Sequence, residues 1–265
     1  MFNKENKQHL IHFYNSGIIF AKYSIDKQFY NYREINMKKS LLSIALTSVL
    51  ATSAFVSTQA SAVEGLSANV AATSNYLWRG LEQTDGDAAI SGGIDYANDS
   101  GFYAGAWASN ASWGDMKTEL DLYLGYGGDI NEDVSYDLGY IYYAYPDSIA
   151  DENDFSEIYA SISTAGFTFG LAVLADSEAG GDGGEFGDSV YANIDYAIAL
   201  ESGAEITLHV GDYSGDFSTE STDFGVSVSK DSFTFGVSKV SFDDSVSAGE
   251  DDLKFYVSYA VDFDL

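Results

Sequence analysis

The side chains best suited to chemistry in this sequence are carboxylates spaced evenly along alternating apolar and polar runs. Asp95, Glu119, Asp121, Asp137, Glu157, Asp195 and Glu205 occupy polar positions of such runs, and Lys254 is the main base in the same phase. Groups two residues apart on a strand share one face, so these carboxylates are expected to line a lumen and draw cations. Catalysis demands more. His209 is the one histidine after position 62, and alternation groups it with Glu205 and Thr207. A hydrolytic site needs a nucleophile, a base and an orienting group, and no Gly-x-Ser-x-Gly segment accompanies this histidine. We therefore assign no catalytic residue and no cofactor. The chain has no Cys, which removes disulfides, thiolate nucleophiles and cysteine-bound zinc.

The acidic stretches are equally plain. Residues 180–185, together with Asp243, Asp244, Glu250, Asp251 and Asp252, concentrate negative charge without the oxygen-ligand spacing of a calcium loop, so no metal site is assigned. A net charge of −29 excludes nucleic acid as a partner. Arg79 and Lys254 are the exceptions to this acidity. Closing the chain into a barrel would make the first and last strands neighbours and set both bases on one extracellular rim. Trp78, Trp107 and Trp113 fall toward the same end and are expected to form an outer aromatic girdle.

The elements that must position these groups are strands. In the run from Glu119 to Tyr126, even positions are apolar or aromatic and odd ones small, polar or acidic; the runs from Val190 to Ile198 and from Leu253 to Leu265 repeat the scheme. Twelve strands are expected, at 66–79, 88–97, 101–110, 117–127, 134–145, 155–164, 167–175, 188–200, 205–213, 222–230, 233–242 and 252–265. Their connections alternate between short turns of Gly, Asp, Asn and Ser and mostly longer acidic loops. An even strand count with that alternation predicts an all-β fold, an antiparallel up-and-down transmembrane β-barrel. A soluble barrel would have to bury its charged face in a dry core, which carboxylates cannot form. The apolar face is therefore expected to meet lipid.

Export is written at the start. Met37, Lys38 and Lys39, an apolar run from Leu41 to Val56, and Ala60-Ser61-Ala62 compose a secretory signal. Residues 1–36 precede it and are read as a mis-assigned N-terminal extension, residues 37–62 as the signal peptide and residues 63–265 as the barrel. Seven of the 12 basic residues lie before Val63, leaving 5 basic against 38 acidic ones in the exported part.

The segment Ser74-Asn75-Tyr76-Leu77-Trp78-Arg79-Gly80, with Gln83-Thr84, resembles the opening motif of the TorF family of proposed porins. The resemblance continues through Gly92-Gly93-Ile94-Asp95-Tyr96, the run from Ser100 to Asn110, Glu119-Leu120-Asp121-Leu122-Tyr123, and the run from Tyr136 to Tyr143 with Tyr145-Pro146. It covers residues 73–160 and implies an outer-membrane barrel of porin type, without a substrate or catalytic residues. One departure is the final residue, Leu265, where an aromatic is usual. The expectation is a channel in the outer membrane of a Gram-negative bacterium, passing small hydrophilic solutes by diffusion with a preference for cations. Its partners would be outer-membrane lipid, those solutes or cations, and the barrel-assembly machinery through the C-terminal strand. The alternative is a non-conducting barrel acting as adhesin, receptor or assembly partner through acidic extracellular loops.

Overall fold

Strict alternation with few prolines allows the backbone to close on itself, and it does. The computed structural model describes residues 64–148, 153–178, 184–217, 219–242 and 250–265. The expected extension and signal peptide lie outside the described residues, as do 179–183 and 243–249 from the acidic stretches.

The strands are β1 (Leu66–Thr73), β2 (Leu77–Trp78), β3 (Leu81–Glu82), β4 (Ala89–Ala97), β5 (Phe102–Trp113), β6 (Met116–Asn131) and β7 (Val134–Ala144). They continue as β8 (Phe155–Thr164), β9 (Phe167–Ser177), β10 (Ser189–Ala199), β11 (Glu205–Gly215), β12 (Ser221–Lys230), β13 (Phe233–Phe242) and β14 (Lys254–Asp264). Twelve of them, β1 and β4 to β14, form one closed barrel in which each pairs antiparallel with its neighbours and β1 closes on β14. The expected fold is present.

Register fixes the faces. Leu122 and Leu124 are 47% and 51% exposed, whereas Asp121 and Tyr123 between and beside them are 3% and 8% exposed. The same inversion runs round the wall, so Ile94, Leu138, Ile158, Phe169, Ile194, Val226, Phe235 and Phe255 all point outward and open. A continuous apolar exterior of this extent exceeds what a water-facing surface normally carries. Inside, tyrosines lie flat across glycines of the adjacent strand. Tyr123 is opposite Gly105, and a Cβ on that glycine would sit 2.5 Å from the ring. Tyr159 covers Gly139 and Tyr256 covers Gly236 in the same way.

Three expectations are corrected. The first strand ends at Thr73 rather than 79, because Ser74 onward turns inward. The expected loop at 111–116 shrinks to Gly114-Asp115, since β5 and β6 pair beyond it and close a tight hairpin. At 16 residues, β6 would rise roughly 40 Å when tilted by about 40°, well past an apolar band of about 25 Å. The tryptophan girdle also dissolves: Trp113 is exposed, but Trp107 is buried on the inner face and Trp78 lies among inward-facing rings.

Candidate functional site

The inward-turning segment defines the interior. Thr73 Oγ1 donates to the carbonyl of Asn75, and the amide of Ser74 donates to the carbonyl of Val257 on β14, which ends the wall strand. The chain then forms the hairpin β2–β3, closed by Arg79 and Gly80, both at positive φ (50° and 76°). Two such residues make the turn that matches hairpin twist. An arginine in this region is uncommon and persists when its surroundings hold it.

Those surroundings are specific. Arg79 Nη1 and Nη2 donate to the two carboxylate oxygens of Glu157 on β8, at 2.8 and 2.7 Å. The guanidinium also sits 4.2 Å over the Trp78 ring and 4.3 Å over Tyr191 of β10. Burial works against its charge, but Glu157 more than offsets this and holds the group above its ordinary value. A side chain added at Gly80 would strike Val240 on β13 and meet Asp223 on β12. The hairpin tip therefore touches walls on several sides of the barrel and occupies its interior. Its base is fastened by Gln83 N donating to Tyr76 O (2.8 Å), Ser112 N to Gln83 O (2.7 Å), and Tyr76 Oη to Glu119 (2.7 Å).

The expected site residues fall into separate groups. Asp95 accepts from Asn69 Nδ2 at 3.0 Å and from Tyr123 Oη. Asp137 accepts from Tyr103 Oη at 2.7 Å. Glu119, Asp121, Asp137 and Glu157 are buried, and Asp121 Oδ1 has no hydrogen-bond partner among the described residues. Asp195 belongs elsewhere: His209 bridges it (Nδ1, 2.6 Å) to Asp223 (Nε2, 2.7 Å), with Tyr191 Oη donating to Asp223 at 3.0 Å. Glu205 opens β11, half-buried. Arg79 is buried against Glu157, while Lys254 Nζ lies 3.4 Å from Glu82 on the hairpin. Alternation alone could not have placed Arg79, since it reads a strand straight through a turn.

Two residues of this interior escaped the sequence reading. Asp223 was legible, because it alternates inward with Gly225 and Ser227 on a strand that was correctly expected. Glu82 was not, since its role depends on the hairpin.

A family model described as "Bacterial protein of unknown function (Gcw_chp)" matches residues 57–263. The chain belongs to this family. No curated protein matches it. Among solved structures, this Gcw_chp member is similar to the KdgM porin, at 12% identity over 75% of this chain and 99% of that one, with a TM-score of 0.46. It is also similar to Pseudomonas aeruginosa OprD, at 16% identity over 76% of this chain and 67% of that one, with a TM-score of 0.41. The barrel of this Gcw_chp chain rests on its own register, strand by strand.

Proposed function

We propose that this protein is an outer-membrane channel for passive diffusion of small hydrophilic solutes, narrowed by its internal hairpin and preferring cations. The observation that carries the proposal is the closed twelve-strand barrel with apolar side chains outside and carboxylates inside. Such a wall satisfies every ladder hydrogen bond without an edge, as a hydrocarbon environment requires. Export by cleavage after Ala62 and insertion through the C-terminal strand complete the reading, with β14 keeping Tyr259, Val261 and Phe263 on the outer face. Cation preference follows from the surplus of inward carboxylates over bases, since a narrow low-dielectric passage focuses their field.

Single-channel recording of the refolded mature chain tests this directly. Stable current steps with a cation-selective reversal potential are the expected result. The hairpin lodged in the interior favours a second reading, a non-conducting barrel that works through its loops. Folded protein in a silent bilayer would select it.

A further inference from the structure

The hairpin is tied at one end and latched at the other. Its base joins the wall through backbone bonds and through Tyr76 and Glu119, whereas Arg79 is the one charged residue from Leu77 to Leu81 and carries the ion pair of the tip. That latch is costly to keep. A residue other than glycine at φ 50° holds a conformation that its Cβ disfavours, and burial strips the guanidinium of water. The tip does not fill the space around it. Leu77, Arg79 and Gly80 border open space toward β11 to β14, which gives the hairpin room to withdraw and a solute a way to Arg79.

What the latch leaves behind on withdrawal is a site. Trp78 moves with the hairpin, but Glu157 on β8, Tyr191 on β10 and Tyr213 on β11 belong to the wall. Together they surround one guanidinium. Both carboxylate oxygens accept from its Nη atoms, at 2.8 and 2.7 Å, and the two tyrosine ring centres lie 4.3 and 5.4 Å from its central carbon. Without Arg79, Glu157 keeps the Tyr143 hydroxyl at 3.3 Å, and a hydroxyl does not balance a buried charge. The empty slot therefore calls for a cation, and its shape selects which one. A planar fork matches two parallel bonds to a carboxylate and stacks on rings, whereas an ammonium is a compact, strongly hydrated point charge. An anion is repelled by Glu157. Arg79 is thus a ligand of this slot that the chain carries itself.

We infer that the slot of Glu157, Tyr191 and Tyr213 binds solutes bearing a guanidinium group, and that Arg79 occupies it as a tethered rival which such a solute displaces together with the hairpin. The inference rests on the proposed transport role and gives that channel a ligand that opens its interior. A ligand that binds only the undocked state shifts the population toward it. A tethered rival competes at an effective concentration on the order of millimolar, so the probe is methylguanidinium at about 1–20 mM, with methylammonium as control at constant ionic strength. The chain has no cysteine. Leu77→Cys in the refolded mature chain, at a position 5% exposed when docked, therefore reports undocking through its rate of thiol labelling. Methylguanidinium should raise that rate saturably by about ten-fold, and methylammonium by less than about two-fold. Arg79→Ala frees the slot and should bind methylguanidinium at least about ten-fold tighter than wild type in calorimetry, a gain that adding Glu157→Gln removes. Equal labelling with both ions, or a folded Arg79→Ala protein that binds no tighter than wild type, would overturn the slot. Labelling keeps Arg79 in place, so it decides the matter where Arg79→Ala does not fold. Conductance separates the two proposals. A silent bilayer with labelling that still answers methylguanidinium sinks transport and spares the slot, whereas a conducting pore with an unresponsive thiol sinks the slot alone.

Discussion

Two inner walls of one barrel, built by the same alternation, behave as different materials. The wall from β5 to β8 presents Tyr103, Trp107, Tyr123, Tyr143, Phe155 and Tyr159, while that from β11 to β14 presents mostly smaller groups, Thr207, Ser227, Thr234, Ser238 and Ser258, beside the rings of Tyr213 and Tyr256. The first packs. Tyr76 meets Trp107 edge-on at 5.7 Å, and Trp78 meets Tyr143 and Phe155 at 6.1 and 6.0 Å. The second leaves space: a cavity of about 90 Å³, bordered by Asp195 on β10 and by residues of β11 to β14, lies along it. Period 2 decides which face a residue takes, but side-chain volume decides where the lumen is. The free space inside this barrel is consequently eccentric, displaced toward the hydroxyl-lined wall.

The harshest way to break that asymmetry is to release the hairpin from the aromatic side. Glu157→Leu leaves the buried Arg79 guanidinium without its counter-ion. Removing one partner of a buried pair costs about 3–5 kcal/mol, here charged to hairpin docking. Denaturant unfolding should register the loss, and single-channel current should rise as the interior opens. Unchanged stability and current would mean that the rings alone hold the hairpin.

A second test asks whether the roomy wall has the faces assigned to it. Val226 is 50% exposed on the outside, and Ser227 borders the cavity. Val226→Arg should cost about 2–4 kcal/mol in a bilayer, and Ser227→Arg clearly less, because its charge enters an acidic, hydrated crevice. Equal losses would shift the register by one residue and invert both walls.

A third compares tightness directly. A Cβ at Gly139 would collide with the Tyr159 ring and lie 2.8 Å from the Leu124 carbonyl, while one at Gly225 would only press His209 Cβ at 3.3 Å. Gly139→Ala should cost about 1–3 kcal/mol by overpacking. Gly225→Ala should cost less, measured by the same unfolding assay, and the reverse order would contradict the packing contrast.

The outcome shows what alternation can and cannot disclose. Strands 155–164 and 233–242 were legible to the residue, because outward apolar side chains mark every second position and turn residues bound them. The expected inward phase of Asp121, Asp195 and Glu205 rests on the same rule. The hairpin was not legible. Leu77, Trp78, Leu81 and Glu82 continue a plausible strand pattern, and only the Arg79-Gly80 turn, stabilised by Glu157 from 78 residues away, breaks it. Contacts that distant leave no local period. The tyrosine–glycine pairs were half legible: each residue sits in the inward phase, but their apposition depends on register between strands.

The finest expected effect concerns charge. If the path runs along β10 to β14, Asp195 and Asp223 face permeating ions, whereas Asp121 is buried at Trp107's register position beyond the hairpin. Neutralising Asp195 and Asp223 together should lower the cation-to-anion permeability ratio by about two- to five-fold, an energy of less than about 1 kcal/mol at aqueous screening. Asp121→Asn should leave the ratio unchanged. Reversal potentials across a salt gradient distinguish the two variants on one recording set-up. The difference should shrink as salt rises, since the Debye length falls from about 30 Å at 0.01 M to about 3 Å at 1 M. Steady selectivity across that range would place the controlling charges in direct contact with the ion, because contact pairs escape the ionic atmosphere. A response to Asp121→Asn but not to the paired substitution would move the path to the aromatic wall and remove the eccentric lumen altogether.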